Sequence, residues 1–166
     1  MNIRTAQHKD LKDIVEIYNQ AILQKNATAD LTPLSIDDKR QWFEEHTQDK
    51  YPIWVYCDES DHVLGWCSLS PYRRGRMALR FTAEISYYIH KYHRKKSIGS
   101  KLLQYAIDHC EGLEIKSIFG ILLDINIPSI KILEKFGFKK WAHLPGIAEI
   151  NGKECGHVYY GIRIYN

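Results

Sequence analysis

The spacing of hydrophobic residues predicts an alternation of helices and strands. Between positions 11 and 22 apolar side chains recur every three or four residues, which is the spacing of one face of a helix. Ser35, followed three residues later by Asp38, resembles a capping box with Asp in place of the usual Glu or Gln. It predicts a second helix that carries Trp42 and Phe43.

The middle of the chain has the alternating pattern of β-strands. Residues 53–57 and 63–70 lie on either side of the polar turn 58–61, which predicts a hairpin. Residues 80–90 show the clearest alternation, with one apolar face and a second face that carries Glu84. Three consecutive strands are therefore expected here.

The remaining elements complete a mixed pattern. They are an opening strand over 2–6, a helix over 98–109, a strand over 117–123, a helix over 128–136, and strands over 138–144 and 157–164. Pro128 in the first turn and Gly137 after the last turn are typical bounds of a helix. The order β α α β β β α β α β β predicts one α/β domain over residues 1–166.

Composition and missing motifs exclude several classes of protein. With 45% hydrophobic and 26% charged residues the chain is neither disordered nor membranous, and its net charge of +3 is too small to require a nucleic-acid partner. No glycine-rich turn follows the first strand and no G-x-x-x-x-G-K-[ST] occurs, which excludes a dinucleotide-binding fold and a P-loop. No apolar run suits a membrane span or a signal peptide, so we expect a cytoplasmic protein.

The spacing of cysteine and histidine argues against a metal site. The four cysteines are scattered without a C-x-x-C pair, and Cys57 and Cys67 are expected to be small core residues. His90 and His93 have H-x-x-H spacing, but no second cluster completes a set of ligands. We therefore expect no metal.

The segment from His93 to Lys101 is the most informative for chemistry. Basic side chains crowd it, and the small residues Ser97, Gly99 and Ser100 leave backbone N–H groups accessible where a helix begins. These features predict a site for phosphate or pyrophosphate. The alternative is a solvated basic loop that caps the helix.

The pattern Arg94-x-x-Ser97-x-Gly99 resembles the Q/R-x-x-G-x-G/A signature of the GNAT superfamily of N-acetyltransferases. Within it the chain is most similar to the phosphinothricin and methionine-sulfoximine acetyltransferase branch. The similar blocks follow in the right order over nearly the whole chain: Ile17-Tyr18-Asn19, Trp42-Phe43, Tyr51-Pro52, Thr82-Ala83-Glu84, the strand 86–89, Asn126-Ile127-Pro128-Ser129-Ile130 and Glu134-Lys135-Phe136-Gly137-Phe138. The resemblance implies the GNAT fold, a mixed but mostly antiparallel sheet of about seven strands flanked by about four helices.

The resemblance also implies roles for individual residues in an acetyl transfer from acetyl-CoA to a small amino-acid-like amine. Glu84 would be the general base, and the loop before the third helix would bind the pyrophosphate of coenzyme A. Arg74, Arg76 and Thr82 would contact an acceptor that resembles phosphinothricin or methionine sulfoximine. The residues implied for acetyl-CoA are Tyr87, Tyr88, Ile89, Arg94, Lys95, Lys96, Ser97, Ile98, Gly99, Ser100, Asn126 and Ser129. A homodimer is a further family expectation.

Two positions depart from the family pattern. Ser97 stands where the first glycine of the loop is usual, and because serine resists positive φ we expect an ordinary backbone there. Leu133 stands where His or Tyr is common, and leucine cannot act as an acid.

Other hypotheses stay open, and the two departures support the sensor among them. Glu84 could be an exposed strand residue, and the arginines near Arg74 could form a solvated turn. The chain could also be a catalytically weak acyl-CoA sensor, or it could acetylate a different amine or a protein N-terminus. A nucleic-acid-binding role has less support, because there is one basic cluster and no recognisable motif.

Overall fold

In the computed structural model, which describes residues 2–165, one mixed sheet lies between two layers of helices. The strands are β1 Asn2–Thr5, β2 Ile53–Cys57, β3 Val63–Pro71, β4 Thr82–Ile89, β5 Ser117–Leu123, β6 Lys139–Ile150 and β7 Lys153–Arg163. The helices are α1 Leu11–Gln24, α2 Ile36–Glu44, α3 Ile98–His109 and α4 Ile127–Lys135. The predicted order of elements is confirmed. Within the described residues, no helix has the length and apolar character needed to cross a bilayer.

The helix boundaries follow from capping residues. At the start of α2 the Ser35 hydroxyl accepts a hydrogen bond from the Asp38 N–H at 3.2 Å, and the Asp38 carboxylate accepts one from the Ser35 N–H at 2.7 Å. This reciprocal pair confirms the predicted capping box. Asn126 begins α4 by accepting from the Ser129 N–H at 3.4 Å, and Gly137, with φ 84°, lies just beyond its end.

The strand order is β1-β2-β3-β4-β5-β7-β6, and β4 pairs in parallel with β5. The antiparallel pairing of β4 with β3 extends from Ala83 to Ile89, whereas its pairing with β5 extends only from Thr82 to Glu84. β5 nevertheless stays paired with β7 as far as Leu123. The sheet therefore opens into a gap between the second halves of β4 and β5.

Hydrophobic clusters fill both sides of the sheet, one under α3 and α4 and the other under α1 and α2. The Trp66 indole on β3 donates a hydrogen bond to the Ile14 carbonyl at 3.1 Å, which fixes α1 on the sheet. On β4, Tyr87 packs against the first cluster and Tyr88 against the second. Because side chains alternate along a strand, Glu84 faces the side of α1 and α2.

The C-terminal hairpin is longer than the sequence predicted. The pattern indicated strands over 138–144 and 157–164, whereas β6 and β7 continue to the turn at 151–152. The segment 145–146, Pro-Gly, is typical of a strand end, but register shifts in the β6–β7 pairing accommodate it. Asn151 and Gly152 have φ of 52° and 73°, as the residues of a tight hairpin turn require.

Candidate active site

The loop before α3, residues 94–97, contains two residues in the left-handed conformation. Lys95 has φ 61°, and Ser97, the N-cap of α3, has φ 60°. The expectation of an ordinary backbone at Ser97 is therefore wrong. Left-handed and other backbone conformations alternate here, a pattern that is typical of loops whose successive N–H groups bind an anion. The positive end of the α3 dipole lies at the same place.

A cavity of about 510 Å³ extends from this loop between β4 and the start of α4. Every residue implied for acetyl-CoA by the resemblance lines it except Lys96, which is exposed on the loop. The structure therefore brings together a set of residues that lie up to 42 positions apart in the sequence, from Tyr87 to Ser129. An elongated ligand with a phosphate end fits this arrangement.

Sequence reasoning missed one wall of the cavity, formed by Gln24, Asn26 and Ala27. The chain leaves α1 through Lys25, whose φ of 60° turns the backbone at the helix end. These residues are neither periodic nor part of a motif. The sequence offers one sign of this wall: the first predicted helix ends here, so a loop must follow it.

The loop supplies a partly desolvated positive charge. Partial burial lowers the pKa of Arg94, whose Nε donates to the Ile89 carbonyl at 3.4 Å. Burial, followed by the nearby charge of Lys96, lowers the pKa of His93. Because less water screens it, a partly buried guanidinium interacts more strongly with an anion than an exposed one does.

A second, smaller cavity of about 50 Å³ lies in the gap between β4 and β5. It shares Tyr87, Tyr88, Asn126 and Ser129 with the large cavity, so the two are adjacent. Leu133, which is fully buried, lines its far side. The large cavity is thus adjacent to a gap in the sheet that opens just past Glu84.

Glu84 occupies a sheltered position at the point where the two strands part. Burial raises the pKa of its carboxyl group above the ordinary value for glutamate. Its cross-strand neighbours are Ser70 on β3 and Phe119 on β5, and Gly161 on β7 follows Phe119. These four residues form a row across the sheet on the side of α1 and α2. Glu84 lines neither cavity, but the next residue, Ile85, lines the smaller one, and a sheltered carboxylate with a raised pKa at this place is a candidate general base.

Aromatic side chains line the uncovered end of this row. Phe119 packs edge-on against Tyr72, with ring centroids 4.9 Å apart, and also approaches Tyr159 at 5.9 Å and Trp141 at 6.3 Å. The Trp141 ring lies directly over Gly161, where a Cβ atom would approach it to 2.3 Å. We call Tyr72, Phe119, Trp141 and Tyr159 the aromatic wall. This wall was not predictable from residue types, because it depends on the register of β6.

The residues implied for the acceptor lie in different places. Thr82 is at the start of β4, on the same face as Glu84. The Arg74 guanidinium forms an ion pair with Glu45 at 3.0 Å, and both side chains are substantially exposed. Arg76 is exposed at the start of the short helical turn Met77–Leu79. The structure therefore brings Thr82 close to Glu84 and directs Arg74 towards the end of α2.

The sequence profile described as "Acetyltransferase (GNAT) domain" matches residues 1–139. The chain belongs to the GNAT acetyltransferase family. This GNAT protein is 41% identical over 153 residues to the Bacillus subtilis protein named "Putative phosphinothricin acetyltransferase YwnH", with 92% of this chain and 93% of the relative covered. It is 29% identical over 152 residues to an L-methionine sulfoximine/L-methionine sulfone acetyltransferase of Pseudomonas aeruginosa, with 92% and 88% covered.

A solved structure agrees with this assignment. The phosphinothricin acetyltransferase of Sinorhizobium meliloti, a GNAT superfamily protein in complex with acetyl-CoA, superposes with a TM-score of 0.91 at 28% identity. The superposition covers 98% of this chain and 87% of that one. The GNAT fold expected from the resemblance is confirmed.

Ser97 in this GNAT domain leads to a prediction about stability. Replacing Ser97 by Gly should raise the free energy of unfolding by about 1 kcal/mol, because glycine adopts positive φ without the steric cost of a Cβ atom. For a domain of this size that corresponds to a Tm higher by about 2–4 °C in a thermal melt. Ser100→Gly is the matched control, since in the regular backbone of α3 glycine should lower the Tm. If the Ser97→Gly protein is no more stable than the wild type, the backbone at Ser97 is not strained.

Proposed function

We propose that this GNAT protein transfers the acetyl group of acetyl-CoA to the α-amine of a small amino acid. The observation that carries the proposal is the continuity of the site. The loop before α3, the large cavity and the gap between β4 and β5 lie next to one another in space, in that order. Glu84 lies where the gap begins. The relatives named above support an amino-acid acceptor.

The residues of the cavity suit acetyl-CoA from end to end. The N–H groups of residues 95–100 and the Arg94 guanidinium would bind its pyrophosphate. The backbone of Tyr87, Tyr88 and Ile89 borders the cavity where β5 no longer pairs with β4, so its polar groups can bind the pantetheine arm. A backbone N–H there would also polarise the thioester carbonyl. Acetyl-CoA supplies the activated acetyl group.

Glu84 would prepare the acceptor. An ammonium group has no lone pair with which to attack a carbonyl, so Glu84 first accepts one proton from it. The free amine then attacks the thioester carbon, the C–S bond breaks, and the departing thiolate takes the second proton that the nitrogen loses as the amide forms. Burial raises the pKa of Glu84, which makes its carboxylate a stronger base than an exposed one. Leu133 is buried and aliphatic and has no proton to give, so the thiolate leaves without help from that position. A thiolate is a good enough leaving group for this.

The acceptor would lie between charged and aromatic surfaces. Arg74 and Arg76 can bind its carboxylate or a second anionic group through paired hydrogen bonds, and Thr82 lies on the face of Glu84. The aromatic wall flanks the same row of residues and suits the apolar part of an amino-acid side chain. These features favour an amino acid over a simple alkylamine.

An acceptor panel tests this specificity. Arg74→Ala should raise KM for an amino-acid acceptor by about ten- to a hundredfold, because a hydrogen bond to a charged group contributes about 1.5–3 kcal/mol. The KM for acetyl-CoA should not change. The KM for the decarboxylated analogue of the same acceptor should not change either. Arg73→Ala, an exposed neighbour, is the matched control. If KM is unchanged for several amino acids, Arg74 does not bind the acceptor.

A homodimer is part of the proposal, and the exposed face of β6 supports it. Trp141, Leu144 and Ile147 are 50%, 38% and 55% exposed on this edge strand. Exposed apolar edges are commonly covered by another chain. Ile147→Lys should shift the protein to a smaller species in sedimentation velocity, whereas Leu23→Lys on α1 should not. A monomeric wild type would refute the dimer.

We also propose that residues 1–166 act as one domain and that the protein works in the cytoplasm. One sheet includes strands from both ends of the described chain, which supports the first point. The cysteines of the described chain are all free and buried, as is usual where disulfides do not form.

A further inference from the structure

His46 connects the end of α2 to β3, the strand that pairs with β4 beside Glu84. The last carbonyl groups of a helix have no partner within it. The Trp42 carbonyl of α2 lies 2.6 Å from the His46 Nδ1. The His46 Nε2 lies 3.1 Å from the Ser70 Oγ on β3. Both ring nitrogens therefore have defined partners.

The partners of His46 determine where its proton is. A carbonyl oxygen can only accept, so Nδ1 must carry a hydrogen. In the neutral ring Nε2 is then an acceptor, and the one hydrogen of the Ser70 hydroxyl is donated to it. Burial lowers the pKa of His46, which keeps the ring neutral near pH 7.

Ser70 lies directly across from Glu84. The two residues are cross-strand partners in the β3–β4 pairing and point to the same face. The Cβ atoms of such partners are about 4.5–5.5 Å apart, within reach of a hydrogen bond between a serine hydroxyl and a glutamate carboxyl. Because its hydrogen is held by His46, Ser70 has only oxygen lone pairs to offer Glu84.

We propose that His46 is a positioning residue for the proton transfer: it holds the Ser70 hydrogen, so that Ser70 accepts a hydrogen bond from Glu84 once Glu84 is protonated. The inference rests on the proposed role of Glu84 as the base. The proton of the acceptor amine moves to a Glu84 oxygen and is then shared with Ser70 Oγ, and no other bond changes. An acceptor-only neighbour favours the protonated carboxyl and disfavours the carboxylate. The pair thus strengthens Glu84 as a base.

Other titratable groups lie near His46 and Glu84. The hydrogen bond to the Trp42 carbonyl raises the pKa of His46 against the effect of burial. Lys39 and Arg74 lower this pKa, and Glu45, which is paired with Arg74, raises it. Near Glu84, burial raises the pKa of Tyr88, so this phenol is neutral at physiological pH. With neutral His46 and neutral Tyr88, burial is the cause that raises the pKa of Glu84 in the free protein, and the proposal adds the hydrogen of Ser70 as a second influence.

A carboxyl titration tests the inference in the protein without substrates. The ¹³C carboxyl signal of Glu84, identified by its loss in Glu84→Gln, is followed against pH. His46→Leu frees the Ser70 hydrogen for the Glu84 carboxylate, so the pKa of Glu84 should fall by about 1, a tenfold loss of proton affinity. His46→Gln keeps an acceptor opposite Ser70 and should restore the wild-type titration. The acidic limb of the kcat/KM profile should move with the carboxyl titration.

Ser70→Ala supplies the control for packing. In that background His46→Leu should leave the pKa of Glu84 unchanged, because the group that couples them is gone. An equal change with and without Ser70, or no change in either, overturns the proposal. In the wild type, ¹⁵N shifts of neutral His46 should show the hydrogen on Nδ1, and a hydrogen on Nε2 also overturns it. A Glu84→Gln enzyme with full activity at every pH would instead refute Glu84 as the base, whatever the titration shows.

Discussion

Replacing Glu84 by Gln is expected to lower kcat near neutral pH by about 10²–10⁴-fold, the usual contribution of a positioned general base. Glutamine keeps the size of the side chain but cannot accept the proton of the acceptor amine. The loss should shrink at high pH, where more of the amine is already unprotonated. Steady-state assays of thiol release between pH 6 and 10 measure both effects.

Two controls accompany the Glu84 result. The KM for acetyl-CoA should hardly change, because the proposed phosphate site at residues 94–100 lines the large cavity and Glu84 does not. Burial raises the pKa of Glu84, so the native state favours its protonated form, and above that pKa the carboxylate costs stability that the amide does not. Glu84→Gln should therefore unfold at the same or a higher temperature at pH 7. Full activity at every pH would leave proximity of amine and thioester as the whole of catalysis.

Replacing Gly99 by Leu is expected to abolish the stabilisation that acetyl-CoA gives to the fold. A ligand at 100 times its Kd raises the free energy of unfolding by about 2.7 kcal/mol when only the native state binds it. Gly99 is buried and lines the large cavity, and a leucine side chain would extend into the space where the cofactor should lie. Thermal melts with and without acetyl-CoA measure the loss.

Gly99→Ala is the matched control for the cavity. A Cβ atom at this position would lie 3.7 Å from the Tyr87 ring and 3.8 Å from Ile89 and Ile132, which is ordinary contact. Alanine should therefore keep most of the shift in Tm produced by acetyl-CoA. If acetyl-CoA raises the Tm of Gly99→Leu as much as it raises that of the wild type, acetyl-CoA does not bind in this cavity.

The sequence predicts the elements well where local chemistry determines them. The capping pair Ser35 and Asp38 marks the start of α2, and alternation along β4 places Glu84 on its polar face. The pattern Arg94-x-x-Ser97-x-Gly99 predicts an anion site at the start of α3, where the structure has two left-handed residues in a loop that lines the large cavity. Such features depend on residues within a few positions of one another.

Two local features were not predictable from residue types alone. Ser97 has positive φ because the surrounding loop requires it, against the preference of serine itself. Pro145 and Gly146 look like the end of a strand, yet the pairing of β6 with β7 continues beyond them. In both cases neighbouring structure overrides the intrinsic preference of the residue.

The missed parts of the site depend on contacts between distant segments. Trp141 covers Gly161 across the β6–β7 pairing, and His46 meets Ser70 from the end of α2. These pairs are separated by 20 and 24 residues, and neither forms a motif. Their positions follow from strand register and from how α2 packs on the sheet.

The most direct test of the central claim follows the acetyl group itself. Wild-type protein is incubated with isotope-labelled acetyl-CoA and methionine sulfoximine or phosphinothricin, and the products are analysed by mass spectrometry. We expect the labelled acetyl group on the α-nitrogen of the amino acid, in equal amount to the free thiol released. Acetyl-CoA that binds without any labelled amine product, across a panel of amino acids, would contradict the account and leave an acyl-CoA sensor or an acceptor of another class.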